Sequence, residues 1–324
     1  MKKKITAGKI LLIVLCALAV CALLYAVGAL YPDGRGSAGE ASLRSWMGGI
    51  DDARKLSEIS IPGTHDSATQ YIFPDYFLQD QDTTIARQLE NGYRYLDIRV
   101  ALGADGELVM IHNFGKCRTG AAVFAPQMGY LDVVAAARAF LAENPTETVM
   151  FCVKPEKSSD DPAAVRAVIE RIVAEEPELW YTENEIPTLG EVRGKIVLCR
   201  RYDGALGLDF NWDDQGDPTV LDDPTETHRI NDAQSLVVQD RYHYAVEDKW
   251  NAVRYTLENC PAGEDCFCLN FLSTAQGKLP HPRSFARQMN ALFAQYAPAG
   301  GCCGVVLFDF ADAALARQVI ERNN

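Results

Sequence analysis

Residues 59–69 read ISIPGTHDSAT: an apolar, β-branched opening fit for a buried strand, a proline and a glycine, then an abrupt polar run around His65 and Asp66. Alone, this is a strand that ends in a turn, with Pro62 and Gly63 making the turn. Its meaning changes because the pattern recurs. Eight short apolar or β-branched runs stand out, at 58–61, 95–100, 108–112, 148–153, 195–199, 235–238, 266–271 and 304–308. Continuous runs of this kind suit strands covered on both faces of a parallel sheet. Helical patterns lie between or after many of them, at 130–143, 162–175, 244–259, 284–296 and 311–322. In the second of these, Val165, Val168, Ile169, Ile172 and Val173 form one apolar stripe, and Asp160, Asp161 and Pro162 supply its start. The reading is α/β: a distorted (β/α)8 TIM barrel over residues 43–324. The distortion falls between the second and third runs, where only Gly103, Ala104, Asp105 and Gly106 intervene. Such a link makes a hairpin and is too short for a crossover helix.

The first thirty residues are a different material. Lys2, Lys3, Lys4 and Lys9 precede an uncharged apolar run, residues 10–30, and about twenty apolar residues span a bilayer. Basic residues before the span and none just after it favour a cytoplasmic start (residues 1–9) and an exported remainder. A cleaved signal peptide is the competing reading, since Val27, Gly28 and Ala29 resemble a cleavage site. A lipoprotein signal ending at Cys21 is disfavoured by the bulky Val20 before it. Residues 31–42, rich in glycine and serine, read as a flexible tether. The chain's formal charge is −13, and −17 without the four N-terminal lysines, so nucleic acid is a poor partner. Phosphate chemistry would need a locally basic pocket. Ten cysteines are present, but with no CxxC and no histidine at zinc spacing a metal site is not indicated. Cys260 and Cys266 flank a Pro-Gly loop and could pair.

In such barrels the functional groups lie just past the carboxyl ends of the strands, where the loops converge. Reading there in order gives His65 with Asp66, Arg99, His112, Lys154 with Glu156, Arg201, Asp240 with Tyr242, Asn270 with Ser273, and Asp309. Each has a plain structural alternative: a turn histidine, an Arg99–Asp97 ion pair, a core histidine, a helix cap at Asp309. The constellation outweighs its members. Two imidazoles and an always-charged guanidinium suit phosphoryl transfer: one ring takes a proton from an attacking hydroxyl, the other protonates the leaving oxygen, and arginine holds the phosphate charge. Ser67 lacks the G-x-S-x-G context of a nucleophile. His228, His243 and His281 read as loop or surface residues.

The motifs ISIPGTHDSAT, YRYLDIR (93–99), FLAENPTETVMFCVK (140–154), GKIVLCRRY (194–202) and VVQDRY (237–242) resemble, in order, those of the bacterial phosphatidylinositol-specific phospholipases C. That family has a distorted TIM-barrel X-type domain, and the resemblance runs from about residue 43 to the end. It implies His65 as general base on the inositol 2-hydroxyl with Asp309 orienting its ring, and His112 as general acid assisted by Asp66. It implies Arg99 as the phosphate ligand with Asp97 nearby, and Lys154, Arg201, Asp240 and Tyr242 as ligands of the inositol hydroxyls. The substrate would be phosphatidylinositol, or a glycosyl-phosphatidylinositol lipid, in a membrane. The products would be diacylglycerol and inositol 1,2-cyclic phosphate, with slow ring opening to inositol 1-phosphate. Calcium-dependent relatives carry a carboxylate at the position of Arg99, so neither metal nor other cofactor is expected. A monomer is expected.

The resemblance weakens over residues 113–129, a longer loop containing Cys117, and at Asn270, Phe271 and Ser273, which stay outside the expected site. The stretch YIFPDYF (71–77) is either core helix or an interfacial wedge. Two alternatives stand beside the enzyme: another phosphodiesterase on the same barrel, which would need an acidic metal cluster, and a non-catalytic inositol-lipid binding module.

Overall fold

The computed structural model describes residues 8–9, 14–16, 19, 41–122, 124–259, 261–276, 281–296 and 301–323. The apolar run and tether lie outside these, apart from 14–16, 19, 41 and 42, as does Cys260 with its expected pairing. No helix among the described residues is long and apolar enough to cross a membrane.

Twelve strands join one sheet among the described residues. They are β1 (Ile61–Thr64), β2 (Tyr95–Leu102), β3 (Leu108–His112), β4 (Gly115–Lys116), β5 (Val149–Pro155), β6 (Trp180–Tyr181), β7 (Ile196–Arg200), β8 (Leu208–Asp209), β9 (Glu226–Arg229), β10 (Ser235–Gln239), β11 (Cys266–Phe271) and β12 (Val305–Phe308). Seven of them, in the order β7-β5-β2-β1-β12-β11-β10, run parallel. The expected third barrel strand is not one: β3 folds back antiparallel on β2 through the short glycine turn, pairing Val100 with Met110 and Leu102 with Leu108.

The closed eight-stranded ring is corrected to an open barrel. Among the described residues no ladder joins the β7 edge to the β10 edge. The edge pieces β6 and β8 are two residues each, too short to present a continuous row of backbone groups. Side chains bridge instead: Asn184 Nδ2 donates to Ile230 O (2.9 Å), Asn231 Nδ2 to Asn184 O (2.7 Å), and Ile186 N to Gln234 Oε1 (2.8 Å).

Strand periodicity explains both the core and the mouth. Alternate residues face inward: Ile61 on β1, Tyr95 on β2, Met150 and Cys152 on β5, Val197 and Cys199 on β7, Leu236 and Val238 on β10, Phe267 and Leu269 on β11, Val305 and Leu307 on β12. All belong to one buried cluster, closed below by Met47, Leu56 and Ile59. Two residues on, the same inward faces carry Asp97, Lys154, Arg201, Asp240 and Asp309. The outward residues, such as Ile98, Phe151 and Leu198, pack on helices Tyr130–Glu143 and Pro162–Glu175. Val306 and Phe308 pack on helices Val246–Asn259, Pro282–Gln295 and Ala313–Ile320.

The first strand begins three residues later than expected, so Pro62 and Gly63 lie inside β1 and make no turn. Pro62 is tolerated because β2 pairs with β1 only from Gly63 onward; its carbonyl accepts from Arg94 N at 2.9 Å. Gly63 is required by packing: a Cβ there would lie 3.1 Å from Leu307 Cγ and 3.2 Å from Tyr95 Cβ. The last helix starts at Ala313 because Asp312, not Asp309, caps it, accepting from Ala314 N and Leu315 N.

Arg94, Arg200 and Arg241 are buried cations paired with carboxylates, whereas Lys249 meets an amide. Lys249, fully buried, donates from Nζ to Gln239 Oε1 at 2.7 Å, and Gln239 Nε2 donates to Asn270 Oδ1 and Phe271 O. Burial pushes the ammonium down to about 7, against the opposing pull of Asp240 and Asp309. A folded pKa below the unfolded one means folding disfavours the charged form: the penalty is complete below about pH 7 and fades as pH rises toward the free lysine value. Lys249→Met is therefore expected to raise Tm at pH 6, by an amount on the order of a few kcal/mol in stability. It should also remove the gain in Tm between about pH 7 and 10. A lower Tm at pH 6 would refute this.

Candidate active site

Six of the expected residues meet at the ends of β1, β2, β3 and β12. The β1–β12 pairing runs one residue past β1, as His65 N donates to Phe308 O, and this sets the ring beside Asp309: His65 Nδ1 lies 2.8 Å from Asp309 Oδ1. A carboxylate there makes Nδ1 the protonated nitrogen and turns Nε2 toward the mouth. The Phe271 ring packs against the His65 ring in a T-shaped arrangement, centroid to centroid 6.0 Å. Asp66 Oδ2 stands between the two imidazoles, 3.1 Å from His65 Nε2 and 3.5 Å from His112 Nε2. On its other side His112 Nδ1 meets Leu78 O at 2.9 Å and Asp80 Oδ2 at 3.0 Å.

Arg99 is clamped before any ligand arrives. Its Nε and Nη2 donate to the two oxygens of Asp97, each at 2.9 Å, and Nη1 donates to Glu156 Oε2 at 3.3 Å. Its Nε is also 3.7 Å from Asp66 Oδ1. The paired geometry fixes the plane of the guanidinium. Directly at or after the site residues the backbone bends sharply: Asp66, Asn113 and Phe310 have φ of 41°, 54° and 47°, in the left-handed region that most residues avoid.

At His65, His112, Asp97 and Asp66 neighbouring charges outweigh burial. Desolvation works against a charged His65, yet Asp66 and Asp309 outweigh it and lift the ring to about 10. His112 is likewise raised, by Asp66 and Asp80 against burial. Burial pushes Asp97 up, but Arg99 carries it well below the usual carboxylate range; Asp66 is lowered by His112 and Arg99 in the same way. Asp309 goes the other way, pushed up to about 6 by burial despite His65.

Of the residues expected to bind hydroxyls, Lys154 lies beside Arg99 in the β2–β5 register. Arg201 N donates to Val153 O, so its side chain follows on the next strand. Lys154 and Arg201 are lowered first by burial and then by repulsion from Arg99, a repulsion that an anionic ligand relieves. The Arg201 guanidinium lies 3.3 Å from the centre of the Trp212 ring, and its Nη1 is buried without a hydrogen bond. Trp212 Nε1 donates to Asp240 Oδ2 at 3.3 Å. Tyr242 is half-buried on the rim, its hydroxyl donating to Asp214.

Glu156, read beside Lys154 at a strand end but given no role, accepts from Arg99, whereas Asp80 and Trp212 are not among the expected site residues. Asp80 and Trp212 come from loops, where no periodicity points to the mouth. The described residues of 113–129 make an excursion, with Ile111 paired to Lys116 and Met110 N bonded to Met128 O. Gly115 is tightly enclosed, as a Cβ would lie 2.6 Å from Leu78 Cδ1. The stretch 71–77 divides: Ile72 is core at 6% exposure, whereas Phe73 (78%) and Tyr76 (55%) face outward.

Fold and site together define an α/β barrel protein with two imidazoles, a clamped guanidinium and several buried carboxylates gathered at its mouth. Residues 59–202 match the family described as "Phosphatidylinositol-specific phospholipase C, X domain". The chain is 31% identical over 251 residues to the 1-phosphatidylinositol phosphodiesterase of Staphylococcus aureus (strain Newman), covering 73% of this chain and 77% of that protein. It is 27% identical to the Listeria monocytogenes protein of the same name, covering 86% and 85%. Among solved structures, a variant of the S. aureus phosphatidylinositol-specific phospholipase C superposes with TM-score 0.74 at 24% identity, covering 89% of this chain and 99% of that one. The L. monocytogenes enzyme gives 0.68 at 23% identity, covering 87% and 99%. The chain belongs to the phosphatidylinositol-specific phospholipase C family.

Proposed function

We infer that the protein is a metal-independent phospholipase C that cleaves phosphatidylinositol to diacylglycerol and inositol 1,2-cyclic phosphate. The observation that carries this reading is the pair of imidazole Nε2 atoms on either side of Asp66, with Arg99 clamped alongside. In the resting site Asp66 sits where a hydroxyl must approach His65, and both rings favour the charged state. His65 acts as a base once its Nε2 proton has left to bulk water, Nδ1 staying protonated against Asp309. The inositol 2-hydroxyl then gives its proton to His65 as its oxygen bonds to phosphorus. The bond from phosphorus to the glycerol oxygen breaks, and His112 Nε2 protonates that oxygen. Arg99 holds the phosphate charge, and attack within one molecule supplies proximity. Lys154, Arg201, Asp240 and Tyr242 are read as the inositol ligands.

Metal independence rests on Arg99, which occupies both oxygens of Asp97 and one of Glu156, the lone pairs a calcium ion would need. The test is purified protein on phosphatidylinositol with chelator present, followed by phosphorus NMR: the cyclic phosphate should appear first. Loss of activity with chelator, or normal cleavage of a substrate lacking the 2-hydroxyl, would overturn the reading. Binding without turnover would favour the non-catalytic module.

Phe73, Tyr76 and Phe114, 78%, 55% and 69% exposed, are read as groups that enter the headgroup region of the membrane. Phe73→Ser with Phe114→Ser is expected to weaken sedimentation with phosphatidylinositol vesicles about tenfold or more; unchanged binding would refute it. The catalytic domain is read as exported and held by residues 10–30, or released if they are cleaved, a distinction that the mass of the membrane-extracted protein makes.

A further inference from the structure

We propose that Asp80 is a positioning residue for His112, giving the leaving-group side of the site the backing carboxylate that Asp309 gives His65. The proposal rests on the acid–base reading above. Asp80 is 3% exposed, and its Oδ2 lies 3.0 Å from His112 Nδ1 as an ion-pair contact and makes no hydrogen bond of good geometry. The segment that carries it is fixed: Asp80 N donates to Thr69 Oγ1 at 3.0 Å, Asp80 O accepts from Phe310 N, and Gln81 Nε2 donates to His65 O and Phe308 O.

A neutral acceptor already meets Nδ1, because Leu78 O is 2.9 Å away. The tautomer is thus set without a carboxylate, and what Asp80 adds is charge. Oxygens of Asp80 and Asp66 and a nitrogen of His112 lie within 4.8 Å of one another, as do atoms of Asp80, His65 and Asp309. Asp80 therefore lies close to both imidazoles and to the carboxylates of Asp66 and Asp309. The charged groups around His112 are Asp66 from the β1 end and Asp80 from its own segment. Beyond them are Glu156, which accepts from Asn113 N, and Arg99 behind Glu156. The two nearest are negative, and only Asp80 lies on the Nδ1 side. Keeping His112 protonated until the leaving oxygen needs the proton is the work this arrangement fits.

Asp80→Asn keeps the shape and removes the charge. On phosphatidylinositol, kcat should fall about tenfold or more with KM little changed, and the alkaline limb of the kcat profile should move down by about one pH unit. On a nitrophenyl ester of inositol 1-phosphate, whose leaving group needs no proton, the loss should be under about threefold. Asp80→Glu, which keeps the charge, should retain most activity. Equal losses on the two substrates, or an unmoved alkaline limb, would overturn the proposal. NMR titration of the His112 ring gives a readout independent of turnover: its pKa should fall in Asp80→Asn, and no change overturns the proposal even if the wild-type chain cleaves neither substrate. Failure of the wild type on both substrates with a shifted His112 titration would instead count against the function alone. If Asp80→Asn does not fold, the same measurements on Asp80→Thr, scored in the same way, decide the matter.

Discussion

His65→Ala is expected to lower kcat on phosphatidylinositol by about 10³-fold or more while leaving vesicle binding close to the wild type. The ring meets Asp309 at Nδ1 and Asp66 at Nε2, and these hold it charged, so its removal also lowers Tm near pH 7. Asp309, already pushed up to about 6 by burial, loses its cation and takes up a proton near neutral pH. Asp309→Asn should be milder, because the amide still accepts from Nδ1–H but no longer favours the imidazolium. That variant should shift the acid limb of the kcat profile downward, since His65 then sheds its proton at lower pH. Residual activity of His65→Ala within about tenfold of wild type would remove His65 from the chemistry.

Arg99→Met should be worse, because it damages both catalysis and the fold. The phosphate loses its fixed cation, for which a loss of about 10²–10³-fold in kcat is expected. Asp97, 1% exposed, loses both of its charge-assisted bonds, and leaving one member of a buried pair costs about 3–5 kcal/mol. Asp97 is depressed in the folded protein, so its contribution is present above the free carboxylate pKa and disappears as pH falls through the depressed value. The Tm deficit of Arg99→Met should accordingly be largest near pH 7 and shrink toward pH 3. A deficit independent of pH would mean that Arg99 packs rather than pairs. Arg99→Lys should recover part of the stability and little of the rate, since an ammonium cannot reproduce the two-point geometry.

Much of this was readable from the chain because a parallel strand gives its inward residues a period of two. Tyr95, Asp97 and Arg99, or Met150, Cys152 and Lys154, pass from apolar to charged along one face, and the change marks the mouth. Helices 130–143 and 162–175 were equally plain, each long and striped. The start of β1 was misplaced because Pro62 and Gly63 carry turn signals that packing overrides: one faces a stretch of β2 that needs no donor, the other fills the only space a hydrogen can. The opening in the barrel was hidden for a different reason. Strands of two residues such as β6 and β8 have no period to detect, and β9 is polar. Asp80 and Trp212 reach the mouth only through the path of loops, which no local pattern encodes.

The three left-handed residues, Asp66, Asn113 and Phe310, have a consequence for how such a protein changes over time. Each bend falls within one residue of His65, His112 or Asp309. After Asp66 the chain returns to the site at Leu78 and Asp80, but an insertion or deletion beyond Asn113 alters the entrance without dragging His112. The seventeen-residue excursion at 113–129 is an instance: it begins at Asn113, yet His112 keeps its contacts with Leu78, Asp80 and Asp66. Reaction and access are thus inherited separately, and selection can remodel the doorway for a new surface while the machinery behind it stays fixed.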